Sequence, residues 1–207
     1  TVGHQFIMLR ERLLEKRKQQ AKSDTNRGAL LMRGRLYTWE AGINKARTEI
    51  NRAPISHIAA FWSLTDEPAL QPLLYKWADE GMHVSLPVVI GPDQPLRLSP
   101  WDPDEDMKTG AFGIMEPNTN DEAPAPQLIL VPTLGFTRQG DRLGYGKGYY
   151  DRTLAALRDQ GHHFTTIGLG WACGDLSAEE YTPQDHDFQL DAVLTDKGWA
   201  KPAPTTQ

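Results

Sequence analysis

Between Gly140 and Asp151 the chain reads Gly-Asp-Arg-Leu-Gly-Tyr-Gly-Lys-Gly-Tyr-Tyr-Asp. Gly144, Gly146 and Gly148 alternate there with Tyr145 and Lys147, and Arg142 adds a second cation. Glycine lets a backbone take positive φ and approach a ligand closely. Backbone N–H groups at a helix start attract anions, and Arg and Lys add full positive charge. The chemistry this pattern suits is the gripping of a phosphate. Upstream, Gln127-Leu-Ile-Leu-Val-Pro132 is a short apolar run that reads as a strand buried on both faces. Downstream, residues 151–160 read as a helix, with Leu154 and Leu157 on one face and Gly161 as its stop.

Two familiar phosphate templates fail. Lys147 is followed by Gly148 rather than Ser or Thr, which excludes a P-loop, and the glycine spacing is not that of a dinucleotide fingerprint. For three glycines alone, a tight surface turn is the simpler reading. Two cations, two tyrosines and an acid in the same segment weigh against it.

The longer string, Val131-Pro-Thr-Leu-Gly-Phe136 followed by Gly140 to Asp151, closely resembles the signature of the 5-formyltetrahydrofolate cyclo-ligase family. The resemblance implies ATP- and Mg²⁺-dependent closure of 5-formyltetrahydrofolate, free or polyglutamylated, to 5,10-methenyltetrahydrofolate. It implies that Arg142, Gly144, Tyr145, Gly146, Lys147, Gly148, Tyr149 and Tyr150 form the ATP loop, with residues 145–149 also facing the folate. Arg142, Lys147 and Tyr149 are the implied catalytic residues, and Asp151 and Asp187 the implied magnesium ligands. Trp62 and Glu67, in Phe61-Trp-Ser-Leu-Thr-Asp-Glu67, match folate-contacting positions, and Leu9-Arg10 matches an N-terminal element touching ATP. Three positions depart from the family pattern. Phe6 stands where the family has a Lys, with Arg12 or Lys16 as candidate substitutes, and Thr133 and Thr137 replace a usual Gly and Asp.

Each residue also has a plainer reading. Trp62 reads as core, Glu67 as a first-turn helix acid, Arg10 as a solvated helix residue, and Asp187 as a turn cap. Tyr149 and Tyr150 could pack at a helix start. Neither a Ser-His-Asp nor a Cys-His set is evident.

The elements that must position these residues alternate in type. Residues 6–21 read as a basic amphipathic helix, with Phe6, Leu9 and Leu13 on one face. Ser23 to Asn26 reads as the cap of a second helix carrying Met32, Leu36, Trp39 and Ile43. Strands are expected at 57–63, 84–90, 128–132, 164–169 and 190–195, with a hairpin return at 96–99. Helices are expected from 65 to about Gly81 and from 175 to 181. Residues 101–126 read as an irregular surface excursion. Gly113-Ile-Met-Glu-Pro117 within it resembles a family landmark. The tail, 196–207, reads as frayed.

This order predicts an α/β fold: one three-layer domain over 1–207, its largely parallel sheet flanked by helices. The family resemblance implies the Rossmann-like kind of this fold, shared with phosphosugar isomerases and CoA-transferases. Those chemistries, or a non-catalytic nucleotide-binding relative, are the alternatives. In such sheets ligands bind beyond the carboxyl ends of strands, so segments 63–67 and 132–151 could line one cleft.

Composition narrows the classes further. At 207 residues the chain can bury a sizeable core, and no apolar run reaches the roughly 18 residues of a membrane span. Thr1 to Arg17 does not read as a secretory leader. Cys173 has no partner for a disulfide or zinc site, which fits a cytoplasmic location. Residues 1–52 form a basic helical region. Within 1–50 there are 11 Lys and Arg against 5 Asp and Glu, and the remainder holds 11 against 22. Such an arm can serve nucleic acid, a solvated helix face, or a basic wall over an anionic small ligand. The expected partner is a small molecule, bound by a monomer without nucleic acid or membrane.

Overall fold

The computed structural model describes residues 2–205. In chain order the elements are α1 (Val2–Lys18), α2 (Lys22–Glu49), β1 (His57–Ala59), α3 (Gln71–Asp79), β2 (His83–Val88), β3 (Arg97–Pro100), β4 (Met107–Thr109), β5 (Met115–Pro117), β6 (Leu128–Pro132), β7 (Gly135–Phe136), β8 (Arg142–Leu143), α4 (Tyr149–Asp159), β9 (Thr165–Leu169), β10 (Ala192–Thr195) and β11 (Gly198–Lys201).

Seven strands form one sheet in the order β11-β10-β9-β6-β1-β2-β3. The five inner strands are parallel; β3 and β11 add antiparallel edges. This is the expected largely parallel sheet with flanking helices. Strands β6, β9 and β10 are buried at every residue, as helices on both faces require. One core layer joins Met32, Leu36 and Ile43 of α2 and Leu73, Leu74 and Trp77 of α3 to the sheet. The opposite layer packs Leu154 of α4 on Ile129, Val131 and Val193. A third cluster holds α1 through Leu9 and Leu13 against Leu134, Leu143 and Leu176.

The topology fixes where a cleft can open. From β1 the chain crosses through α3 to β2; from the adjacent β6 it crosses through α4 to β9, the other way. Loops leaving β1 and β6 therefore diverge, and the gap between them is a topological switch point.

Several local expectations are corrected. Helix α3 starts at Gln71, with a Pro in its first turn, because residues 64–69 fold into a compact loop. The Ser63 hydroxyl donates to Pro68 O and accepts from Leu70 N–H, which closes that loop. Helix α2 begins before Ser23 to Asn26, with Ala21 as N-cap and no side-chain cap bond. The excursion at 101–126 contains the β4–β5 hairpin. Residues 175–181 are not helical; a single 3₁₀ turn covers Ala172–Gly174 instead. The tail does not fray at Lys197: β11 pairs with β10, Ala203 is buried, and Trp39 Nε1 donates to Pro204 O. Residues 206 and 207 of that expectation lie outside the described residues. No described helix is long and apolar enough to cross a membrane.

Candidate functional site

A cavity of about 450 Å³ opens at the switch point. Its lining includes every candidate site residue: Arg10, Trp62, Glu67, Arg142, the loop 144–150, Asp151 and Asp187.

The glycine loop leaves β8, which pairs with β7 as a two-residue hairpin, and ends at the start of α4. Gly146 has φ 96° and Gly148 φ 71°, and Gly148 is the left-handed N-cap of α4. An L side chain at either position would be strained. These turns bring the loop backbone to the dipole-positive end of an 11-residue helix.

Three of the cations around the loop line the cavity. Arg10 Nε donates to Gly144 O at 2.9 Å, and its guanidinium lies where a side chain on Gly146 would stand. Arg142 Nε donates to Pro132 O at 2.8 Å, while its guanidinium sits 5.3 Å from the Tyr150 ring centroid. Burial lowers the pKa of both arginines. Each remains charged at neutral pH, because an arginine starts so high. Lys147 is exposed, with its ammonium 5.7 Å from the Phe112 ring centroid.

Across the cavity stands Glu67, 6 % exposed. Leu64 N–H donates to its Oε1 at 2.8 Å, and Tyr145 Oη donates to its Oε2 at 3.0 Å. Burial pushes the carboxyl's pKa up; the Leu64 N–H, Arg17 and Tyr145 oppose that rise. The Tyr145 and Tyr150 hydroxyls are pushed up too, mainly by burial, so both remain proton donors. Glu67 is therefore no first-turn helix acid: it precedes α3 and caps its own loop. Trp62 is half-buried; it packs against Trp101 at 5.9 Å and also faces the cavity, so the core and contact readings coexist.

Asp151 and Asp187 line the same cavity from α4 and from the loop before β10. Asp151 Oδ1 accepts from Phe188 N–H at 3.0 Å, which ties that loop to the first turn of α4. Asp187 Oδ2 accepts from Gln184 N–H at 2.9 Å, a turn cap as well as a cavity group. Each carboxylate keeps one oxygen off the backbone. No group of three or more His, Cys, Asp or Glu converges as a metal cage among the described residues. Two carboxylates beside a glycine loop lined by cations would fit Mg²⁺, which commonly takes one or two carboxylates with phosphate and water oxygens.

The departures from the family pattern also find their places. Phe6 lines the cavity, packed on Tyr181 at 5.8 Å with the Arg10 guanidinium over its ring. Arg12 and Lys16 do not take over for a missing lysine: both reach Glu179, at 2.9 and 3.9 Å. Thr133 is fully buried, and Thr137 closes a turn with Asp141; neither lines the cavity.

Residues missed in the sequence are Arg17, Phe112, Glu116 and Tyr181. Arg17 lies within the run Glu-Lys-Arg-Lys, where nothing separates it from solvated neighbours. Glu116 does have a signal, since it belongs to the landmark stretch Gly113-Ile-Met-Glu-Pro117.

Residues 5–196 match the model of the 5-formyltetrahydrofolate cyclo-ligase family. A 5-formyltetrahydrofolate cyclo-ligase of Haemophilus influenzae is 30% identical over 151 residues, covering 70% of this chain and 78% of that protein. One of Escherichia coli is 31% identical over 144 residues, covering 67% and 76%. The solved structure of Aquifex aeolicus 5,10-methenyltetrahydrofolate synthetase superposes with a TM-score of 0.70 at 26% identity, over 94% of this chain and 91% of that one. With its parallel sheet, switch-point cavity and glycine loop, the chain belongs to the 5-formyltetrahydrofolate cyclo-ligase family.

Proposed function

We propose that the protein closes 5-formyltetrahydrofolate to 5,10-methenyltetrahydrofolate, consuming ATP with Mg²⁺ bound and releasing ADP and phosphate. One observation carries this reading. A single cavity has a cationic, glycine-built wall on one side and the buried Glu67 carboxylate, hydrogen-bonded to Tyr145 of the loop, on the other. The first suits a polyphosphate and the second a flat, polar heterocycle.

The chemical obstacle is a poor leaving group. An amide oxygen does not depart at neutral pH, so N10 cannot close the ring directly. If the formyl oxygen first displaces ADP from the γ-phosphorus, that oxygen can leave as phosphate when N10 attacks the formyl carbon. Most of what the protein must supply is placement and charge neutralisation.

Arg10, Arg142, Lys147 and the backbone N–H groups of residues 144–150 would hold the phosphates. Arg142 is fixed by Pro132 O and Tyr150, so its outer nitrogens are aimed without further ordering. Asp151 and Asp187 would hold Mg²⁺, which supplies charge neutralisation at the transferring group when bound. Glu67 would accept from the N–H edge of the pterin, with Trp62 and the Tyr145 and Tyr149 rings beside it.

The test is direct. Protein, Mg·ATP and 5-formyltetrahydrofolate are mixed, and the absorbance of the conjugated methenyl product is followed. Product that depends on both ATP and Mg²⁺ supports the proposal. Folded protein that forms none from fresh substrate refutes it.

A further inference from the structure

Arg17 is the most buried arginine of the described residues, at 5 % exposure, and it lies in the last turn of α1. Its Nη1 donates to Tyr145 Oη at 2.8 Å, and its Nη2 donates to Thr133 O at 2.9 Å. Asp66 Oδ2 lies 4.0 Å from Nη1. Tyr145 Oη in turn donates to Glu67 Oε2 at 3.0 Å. The Tyr145 oxygen thus accepts from a guanidinium and donates to a carboxylate. Its two hydrogen bonds fix the direction of the hydroxyl, and the chain Arg17–Tyr145–Glu67 holds the loop after β1 against the glycine loop after β8. On the same helix, Arg10 grips Gly144 O, one residue before Tyr145.

We infer that Arg17 is a positioning residue for the folate side of the site: it fixes Tyr145, and through Tyr145 orients Glu67 toward the bound pterin. The assignment of that side to folate rests on the proposed function. Two properties make Arg17 suited to this task. Its planar fork serves two acceptors on different strand-end segments at once, which a lysine ammonium does less rigidly. It also stabilises the ionised form of Glu67 against burial. The other charged or titratable groups that act on Glu67 are Tyr145, Asp66 on its own loop, Arg142 and Tyr150.

The experiment compares wild type, Arg17→Met, Arg17→Lys and Tyr145→Phe in the methenyl absorbance assay, and follows amide hydrogen exchange of each protein without ligands. Arg17→Met should raise the KM for 5-formyltetrahydrofolate roughly ten- to hundredfold, the range for losing a charge-assisted hydrogen bond, while the KM for ATP moves only a few-fold. Arg17→Lys should recover part of that loss. The acid limb of kcat/KM for folate should move to higher pH in Arg17→Met, because Glu67 loses its stabilising charge. Arg17→Met/Tyr145→Phe should cost no more than the worse single variant, since both break one chain. Multiplicative losses, or equal KM increases for ATP and folate, would overturn the inference. Exchange should quicken in residues 64–67 and 143–148 and stay unchanged in α2 and β9; uniform quickening would mean general destabilisation and would also overturn it. Should Arg17→Met not fold, Tyr145→Phe breaks the same chain by removing one oxygen and must show the same local exchange change. A wild type that fails to convert folate defeats the proposed function alone, because the exchange measurement still decides whether Arg17 orders these two loops.

Discussion

Replacing Glu67 by Gln changes one atom type in a nearly buried group, and its effects on stability and on recognition separate. Oε1 accepts from Leu64 N–H and Oε2 from the Tyr145 hydroxyl. A glutamine keeps the first bond through its amide oxygen. Its NH₂ then faces a Tyr145 oxygen that already accepts from Arg17. One mispaired contact costs about 1–3 kcal/mol. Burial raises the Glu67 pKa in the folded protein, so the folded state binds its proton more readily than the unfolded chain does. The sign is therefore unfavourable at neutral pH. Stability from this group is full below the unfolded carboxyl pKa and falls as pH rises through the higher folded value. A glutamine abolishes that penalty, which offsets the mispairing. Net stability should move by no more than about 1 kcal/mol, a melting shift of roughly 2–4 °C for a chain of this length. On the proposed function, folate recognition has no such offset: the pterin N–H would lose a charged acceptor and meet an amide donor. The kcat/KM for 5-formyltetrahydrofolate should fall roughly ten- to hundredfold, corresponding to about 1.5–3 kcal/mol. Initial rates at varied folate and saturating Mg·ATP, then the converse, measure it beside a thermal melt. Equal losses for the two substrates, or a melting temperature lowered by tens of degrees, would show that Glu67 merely holds its loop.

Three further outcomes are expected. Lys147→Ala should raise the KM for ATP by the equivalent of roughly 1.5–3 kcal/mol with an unchanged melt, since among the described residues the exposed ammonium is paired only with the Phe112 ring; unaltered ATP kinetics would contradict its role. Asp151→Asn and Asp187→Asn should each demand much more Mg²⁺, and the double variant should lose far less than the product of the single losses; a magnesium titration showing multiplicative effects would exclude a shared ion. Gly148→Ala should cost about 1–2 kcal/mol of stability through its positive φ, with the new methyl 2.8 Å from Arg152 Nη1, and should weaken ATP binding as the α4 start shifts; calorimetry showing neither effect would dismiss the strained turn.

The chemistry is legible where it is written contiguously. Residues 142–151 carry their types, spacing and strand–helix context in one stretch, and the cavity includes all ten. The same holds for α2, whose Met32, Leu36 and Ile43 follow helical spacing because one face meets the sheet. What stays illegible depends on distant partners. Arg17 finds its acceptors 116 and 128 positions away. Strands β7 and β8, two residues each, are too short to show a period. Thr65 to Pro68 resembles a helix start because acids and a proline favour one, but Glu67 turns back to Leu64 N–H and delays α3. The tail is polar and proline-rich, yet Trp199 packs on the same core layer as Trp39 and holds β11 in place.

The bond between Asp151 and Phe188 N–H has a consequence in time. It spans 37 positions, and the Arg10–Gly144 bond spans 134. Closing such long loops is what slows folding. During synthesis, β1, β2 and β6 can pair before the segment that carries Asp187 exists. A nascent chain at that stage has its glycine loop but neither the carboxylate nor the backbone amide that completes the wall around it. The wall around the loop is thus completed only when this segment and the last parallel strand, β10, join the sheet beside β9.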